Sequence, residues 1–160
     1  IILAAFFLDA YAFSTEGIVG FTLGKRNEKS FSLVVKNSIQ LSFFTALIIS
    51  IFYLIFFKQI INIITDIDII RFISYKHALW IIMIPPIASF CYQLDGIFIG
   101  ASQTRDMRNG MMFSVACFIV ISIYSTKYFG NHGLWFSLLL FTVLRSLTLR
   151  YFLNNILKKF

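Results

Sequence analysis

Long runs of apolar positions, broken by short polar stretches, divide this chain into five segments: about 1–24, 30–57, 69–102, 109–126 and 133–152. A helix rising about 1.5 Å per residue needs roughly 20 mostly apolar residues to cross a bilayer, so each run predicts a membrane span. The links are Lys25-Arg26-Asn27-Glu28-Lys29, Lys58 to Asp68, Arg105-Asp106-Met107-Arg108 and Lys127 to His132. The Ile/Asp/Asn mixture from Lys58 to Asp68 predicts a short amphipathic helix lying at the interface. The third run is long enough to hold an interfacial turn and a kink at Pro85-Pro86. No linker divides the chain, which predicts one all-α membrane domain of five transmembrane helices.

Composition agrees with lipid as the solvent. The chain is 59% hydrophobic and 13% charged and carries 20 Phe among its 160 residues, with mean hydropathy +0.84. A soluble domain of this size cannot hide that much apolar surface. The pI near 9.6 does not point to nucleic acid, because the basic residues form short clusters between apolar runs, as membrane loops do. Ile1 opens inside an apolar run without a charged leader region, so no signal peptide is expected and the chain reads as cut before its true beginning. Cys91 and Cys117 both fall in spans and lack metal-site spacing, which makes them packing residues.

Of the 14 Lys and Arg, ten lie toward one side: Lys25, Arg26, Lys29, Lys36, Arg105, Arg108, Arg145, Arg150, Lys158 and Lys159. Lys58, Arg71, Lys76 and Lys127 lie toward the other. The bias places the C-terminus in the cytoplasm and, with five spans, the first helix entering from outside.

Ionisable residues within spans are costly unless they face a bundle interior, a partner or water. Asp9, Glu16 and Asp95 meet that description. Asp9 and Glu16 are two helical turns apart and share a face, with Asp9 near mid-membrane. Lys36 and Arg145 reach a depth similar to that of Glu16 and Asp95, so the four form either a structural charge-pair cluster or a cation or proton site whose acids change partner. Asp9 has no cation at its depth and is the cavity-facing candidate. Gly17, Gly20 and Gly24, and Gly96 with Gly100, form small-residue stripes that let another helix approach. No His-Glu-x-x-His, paired-Cys, nucleophile-elbow or phosphate-loop pattern is present, and His77 and His132 stand at span ends. No enzyme, metal or cofactor is therefore expected, and transport would draw on an ion gradient.

Three stretches resemble the multidrug and toxic compound extrusion (MATE) family, in its DinF branch. They are Leu8-Asp9-Ala10-Tyr11-Ala12-Phe13 with Glu16, Val19-Gly20 and Leu23-Gly24; Gln93-Leu94-Asp95-Gly96-Ile97-Phe98-Ile99-Gly100-Ala101 running into Thr104-Arg105-Asp106-Met107-Arg108-Asn109; and Gly130-Asn131-His132-Gly133-Leu134-Trp135 with Leu144-Arg145-Ser146-Leu147-Thr148-Leu149. Ala10 stands where the branch usually has Gly, and Ser14-Thr15 where small apolar residues are usual. The resemblance implies helices eight to twelve of a twelve-helix, two-lobed transporter of the plasma membrane. Such a transporter exchanges protons or sodium for organic or xenobiotic compounds, and the resemblance implies that the N-terminal lobe is missing from this chain. In some relatives the acid corresponding to Asp95 belongs to a cation site. A lipid-linked oligosaccharide flippase would share the helix plan but would line its cavity with cations, whereas Asp9 is an acid. A membrane-embedded hydrolase would need His or paired carboxylates at one depth with a nucleophile nearby, a set the sequence lacks.

Overall fold

The computed structural model describes residues 2–157. Ile1 of the first span and the cations Lys158 and Lys159 lie outside the described residues. Within them there are six helices and no strand: α1 (Ile2–Gly24), α2 (Glu28–Ile64), α3 (Asp68–Lys76), α4 (Ala78–Gly100), α5 (Thr104–Phe129) and α6 (Asn131–Leu157). All but α3 are long and apolar enough to cross a membrane, so the chain is an all-α membrane protein with five candidate spans.

The boundaries follow local chemistry. Helix α1 ends in a Schellman motif: Arg26 takes φ 52°, while Asn27 N–H bonds Thr22 O (3.2 Å) and Arg26 N–H bonds Leu23 O (2.9 Å). Asn27 then caps α2 by accepting from Ser30 N–H at 2.9 Å. Helix α4 ends the same way, with Ser102 at φ 55° and Gln103 N–H on Phe98 O at 2.9 Å. Both turns lie on one side, at corresponding ends of two parallel helices.

Two sequence expectations need correction. The second span does not end near Phe57: α2 runs 37 residues to Ile64, roughly 55 Å long and well beyond a hydrocarbon core of about 30 Å. The short interfacial helix is therefore not Lys58–Asp68 but α3, Asp68–Lys76, cut from the third span at His77, whose φ −105° and ψ 6° end the helix. The apolar sequence through Ile64 contains no breaker, and Thr65-Asp66 is the first polar pair that can stop it. Helix α3 has no buried residue. Arg71 ties it to the end of α2 by bonding Thr65 O at 2.8 Å and pairing with Asp66 at 3.0 Å.

Helix α4 is the centre of the bundle. Of its span 56% is buried, against 22% for α1 and α2 and 11% for α5 and α6. The outer helices turn their Phe, Ile and Leu outward, as lipid requires. Helix α4 packs on α1, α2 and α6, and α5 joins through a hairpin with α6. That hairpin is tight: a Cβ on Gly133 would fall on the carbonyl of Ser125. Despite Pro85 and Pro86, α4 stays helical from Ala78 to Gly100. At its N-terminal end His77 stacks on His132 with centroids 4.5 Å apart, and Trp80 Nε1–H donates to His132 Nδ1 at 3.0 Å. The two histidines at span ends thus bind α4 to α6.

Candidate functional site

Close approach of α1 to α4 builds the site. A Cβ on Gly96 would lie 3.0 Å from Ala12 Cα and on its carbonyl, and one on Gly100 would lie 3.0 Å from Glu16 Cα and on its carbonyl. Only glycine permits this contact. On α1, a Cβ on Gly20 would lie 3.4 Å from Gly100 O, whereas one on Gly17 or Gly24 would meet nothing within 4 Å. The expected α1 stripe is thus a single contact glycine, and α4 carries the stripe.

This crossing places Asp9, Glu16 and Asp95 around one cavity of about 200 Å³, lined also by Tyr92, Gly96 and Met107. The three acids share the cavity without converging: among the described residues no three His, Cys, Asp or Glu side chains form a metal-holding group. From α6, Arg145 Nη2 reaches Asp95 Oδ2 at 2.9 Å, with both side chains only 18% exposed. The pair is incompletely satisfied, since Asp95 Oδ1 and Arg145 Nε are buried without a hydrogen-bond partner among the described residues. An acid with one oxygen paired and one free retains acceptor capacity for a proton or cation. Cys91 Sγ is 4.0 Å from Asp95 Oδ2, a weak contact, and both cysteines are free thiols.

Of the four expected charge-cluster residues, the structure joins Asp95 and Arg145, sets Glu16 on the same cavity, and leaves Lys36 apart. Lys36 is exposed on α2. The buried stripe of α2 is Ser42, Ala46 and Ser50, and six residues separate Lys36 from Ser42. At about 100° per residue that turns Lys36 roughly 120° away from the bundle. Sequence depth fixed its height and not its direction.

Neutral polar residues add what charge alone does not reveal. Gln93 is fully buried and its Oε1 accepts from Thr15 Oγ1 at 2.8 Å, and Tyr11 Oη accepts from Thr45 Oγ1 at 2.9 Å. These bonds fix α1 against α4 and α2 beside the acids. The signal for Gln93 was an amide inside an apolar run, two residues before Asp95.

Fold and site together define a polytopic helical membrane protein with an ion pair and further acids inside its bundle. The MatE family profile matches residues 1–126, and the chain belongs to that family. It is 32% identical over 131 residues to DNA damage-inducible protein F of Escherichia coli (strain K12), an alignment covering 82% of this chain and 28% of that relative. The chain thus spans about 28% of the length of the curated relative it matches. No solved structure matches significantly. The family resemblance read from the sequence is borne out, with its first two stretches inside the profile match and the third beyond it.

Proposed function

We propose that this chain is part of the C-terminal lobe of an ion-coupled MatE-type efflux transporter, its five spans corresponding to helices eight to twelve of twelve. The transporter exchanges protons or sodium for organic compounds across the plasma membrane, with the C-terminus of this chain in the cytoplasm and an N-terminal lobe as its partner. The observation that carries this reading is the half-buried Asp95–Arg145 pair beside a cavity lined by two further acids. Charges at that depth are retained where a cation or proton pathway uses them. Asp95 is the residue for which an arriving cation and Arg145 compete, and Asp9 and Glu16 line the approach. Alternating access needs one repeat moving against the other.

The test is reconstitution of the protein encoded by the whole reading frame in proteoliposomes, with an imposed proton or sodium gradient and an organic cation as cargo. Gradient-dependent efflux is expected, while the 160-residue chain alone gives no coupled flux above background. Absence of gradient-dependent flux by the whole protein, or robust coupled flux by the isolated chain, overturns the reading.

A further inference from the structure

A second feature lies on the opposite flank of α4. Pro86, Ile87, Phe90 and Leu94 form the floor of an apolar groove of about 520 Å³, with walls from Val35, Ile39 and Phe43 of α2 and from Val143, Leu147 and Leu153 of α6. It is open along its length: Leu147 is 57% exposed and Phe90 37%. On α6 the wall runs from Val143 to Leu153, ten helical rises or about 15 Å. That is roughly half of a hydrocarbon core about 30 Å thick. The groove therefore has the length of one leaflet and reaches from near the midplane to one interface, on the side of the α1–α2 turn.

Polar groups in the groove are few and unequal. Ser146 Oγ is committed to its own helix, donating to Thr142 O at 2.9 Å. Arg150 is the one charged lining residue. It is exposed, and among the described residues no carboxylate pairs with it. It stands one turn before Leu153, at the interfacial end of the wall. Lys36, which follows the wall residue Val35 on α2, is also exposed. An acyl-length apolar trough closed at its interfacial end by an unpaired guanidinium matches one ligand chemistry: a chain in the trough and an anionic phosphodiester on the cation.

We propose that the α2–α4–α6 groove is a binding site for an anionic phospholipid, with an acyl chain along Phe90 and Leu147 and the headgroup phosphate on Arg150. Charge complementarity at Arg150 selects this occupant over a neutral lipid, and the leaflet-matched length selects it over a small soluble anion. The site requires that the helices span the membrane and that the rest of the transporter leaves this flank of α4 open to lipid, and it is independent of any coupling role for the acids.

The experiment uses the whole-reading-frame protein in nanodiscs of equal phosphatidylcholine and phosphatidylglycerol, with the lipids retained after release read by native mass spectrometry. Arg150→Gln should lower the ratio of bound phosphatidylglycerol to phosphatidylcholine about fivefold, the ratio that roughly one basic residue's attraction gives. Arg150→Lys should largely restore it. Leu147→Trp, which obstructs the trough and leaves Arg150 in place, should reduce retention of both lipids. A photoreactive side chain at position 147 should label lipid. An unchanged ratio in Arg150→Gln, undiminished retention in Leu147→Trp, or labelling of another part of the protein in place of lipid overturns the proposal. None of these readouts involves ion or drug flux, so a failure here is separate from a failure of the transport reading.

Discussion

Ser50 on α2 donates its hydroxyl to the carbonyl oxygen of Ile82 on α4 at 2.8 Å. Ile82 stands four residues before Pro86, so its carbonyl is the one that loses an amide partner to the proline ring. In lipid no water replaces that partner, and the neighbouring helix supplies it. Helix α4 carries adjacent prolines and remains helical, and Ser50 relieves one of the defects they create. Ser50→Ala should destabilise the bundle by about 1–3 kcal/mol, the cost of a buried acceptor left unmade. Ser50→Thr, which keeps the hydroxyl, should cost less. The midpoint of thermal unfolding in detergent or nanodiscs reads both, and an Ala variant melting with the wild type would remove this account.

The α1–α4 crossing makes a positional prediction about glycine. Gly96→Ala and Gly100→Ala insert a methyl into the Ala12 and Glu16 backbone. Each should cost about 1–3 kcal/mol through forced separation of the helices. Gly17→Ala meets nothing within 4 Å and should be neutral or slightly stabilising, as Ala is the better helix former. Equal melting of all three variants would mean that the crossing is not as close as described.

At the N-terminal end of α4, Trp80 holds His132, which in turn stacks on His77. Trp80→Phe keeps an aromatic ring and removes the indole donor. It should lower stability by roughly 1 kcal/mol, the net worth of one hydrogen bond, and should loosen the α5–α6 hairpin before the α1–α4 core. Hydrogen exchange of the 129–135 backbone in the variant checks this, with unchanged protection as the contrary result.

How much of this was legible in the sequence depends on what lipid demands. Charge-poor runs of span length mark the five long helices, because a membrane tolerates no other backbone arrangement there. Asp95 and Arg145 stood out as costly charges at one depth, but Glu16 and Lys36 shared that depth, and which acid meets which cation was not legible. Direction around the helix was not legible for Lys36, because a long cation near a span end can satisfy itself by turning outward. The continuation of α2 to Ile64 was missed, and the interfacial turn expected in the third run was not resolved into a separate helix ending at His77. An interfacial helix and the end of a long span have the same apolar content and differ only in tertiary placement. Ser50 was silent because a serine leaves hydropathy almost unchanged, and the amide of Gln93 stood in its apolar run without a charge to mark its partner, although each holds a joint in the bundle.

The Asp95–Arg145 pair separates a structural from a coupling role. Removing one member of a buried pair typically costs about 3–5 kcal/mol. Solvent reaching the 18%-exposed side chains should bring the loss to the lower end of that range or below it. Asp95→Asn in the whole protein should therefore lower abundance and melting temperature. The double variant Asp95→Asn/Arg145→Gln leaves no unpaired charge and should recover most of both. If the pair only holds α4 to α6, the double variant regains gradient-driven efflux along with its stability. If Asp95 exchanges Arg145 for a cation, the double variant stays stable and abundant while efflux loses its dependence on the imposed gradient, because an amide takes up neither a proton nor a cation's charge. The second outcome is the expected one. The free Oδ1 of Asp95 and the cavity it shares with Asp9 and Glu16 would give the carboxylate somewhere to turn if Arg145 released it. A stable double variant with normal, gradient-dependent efflux would assign the pair to structure alone.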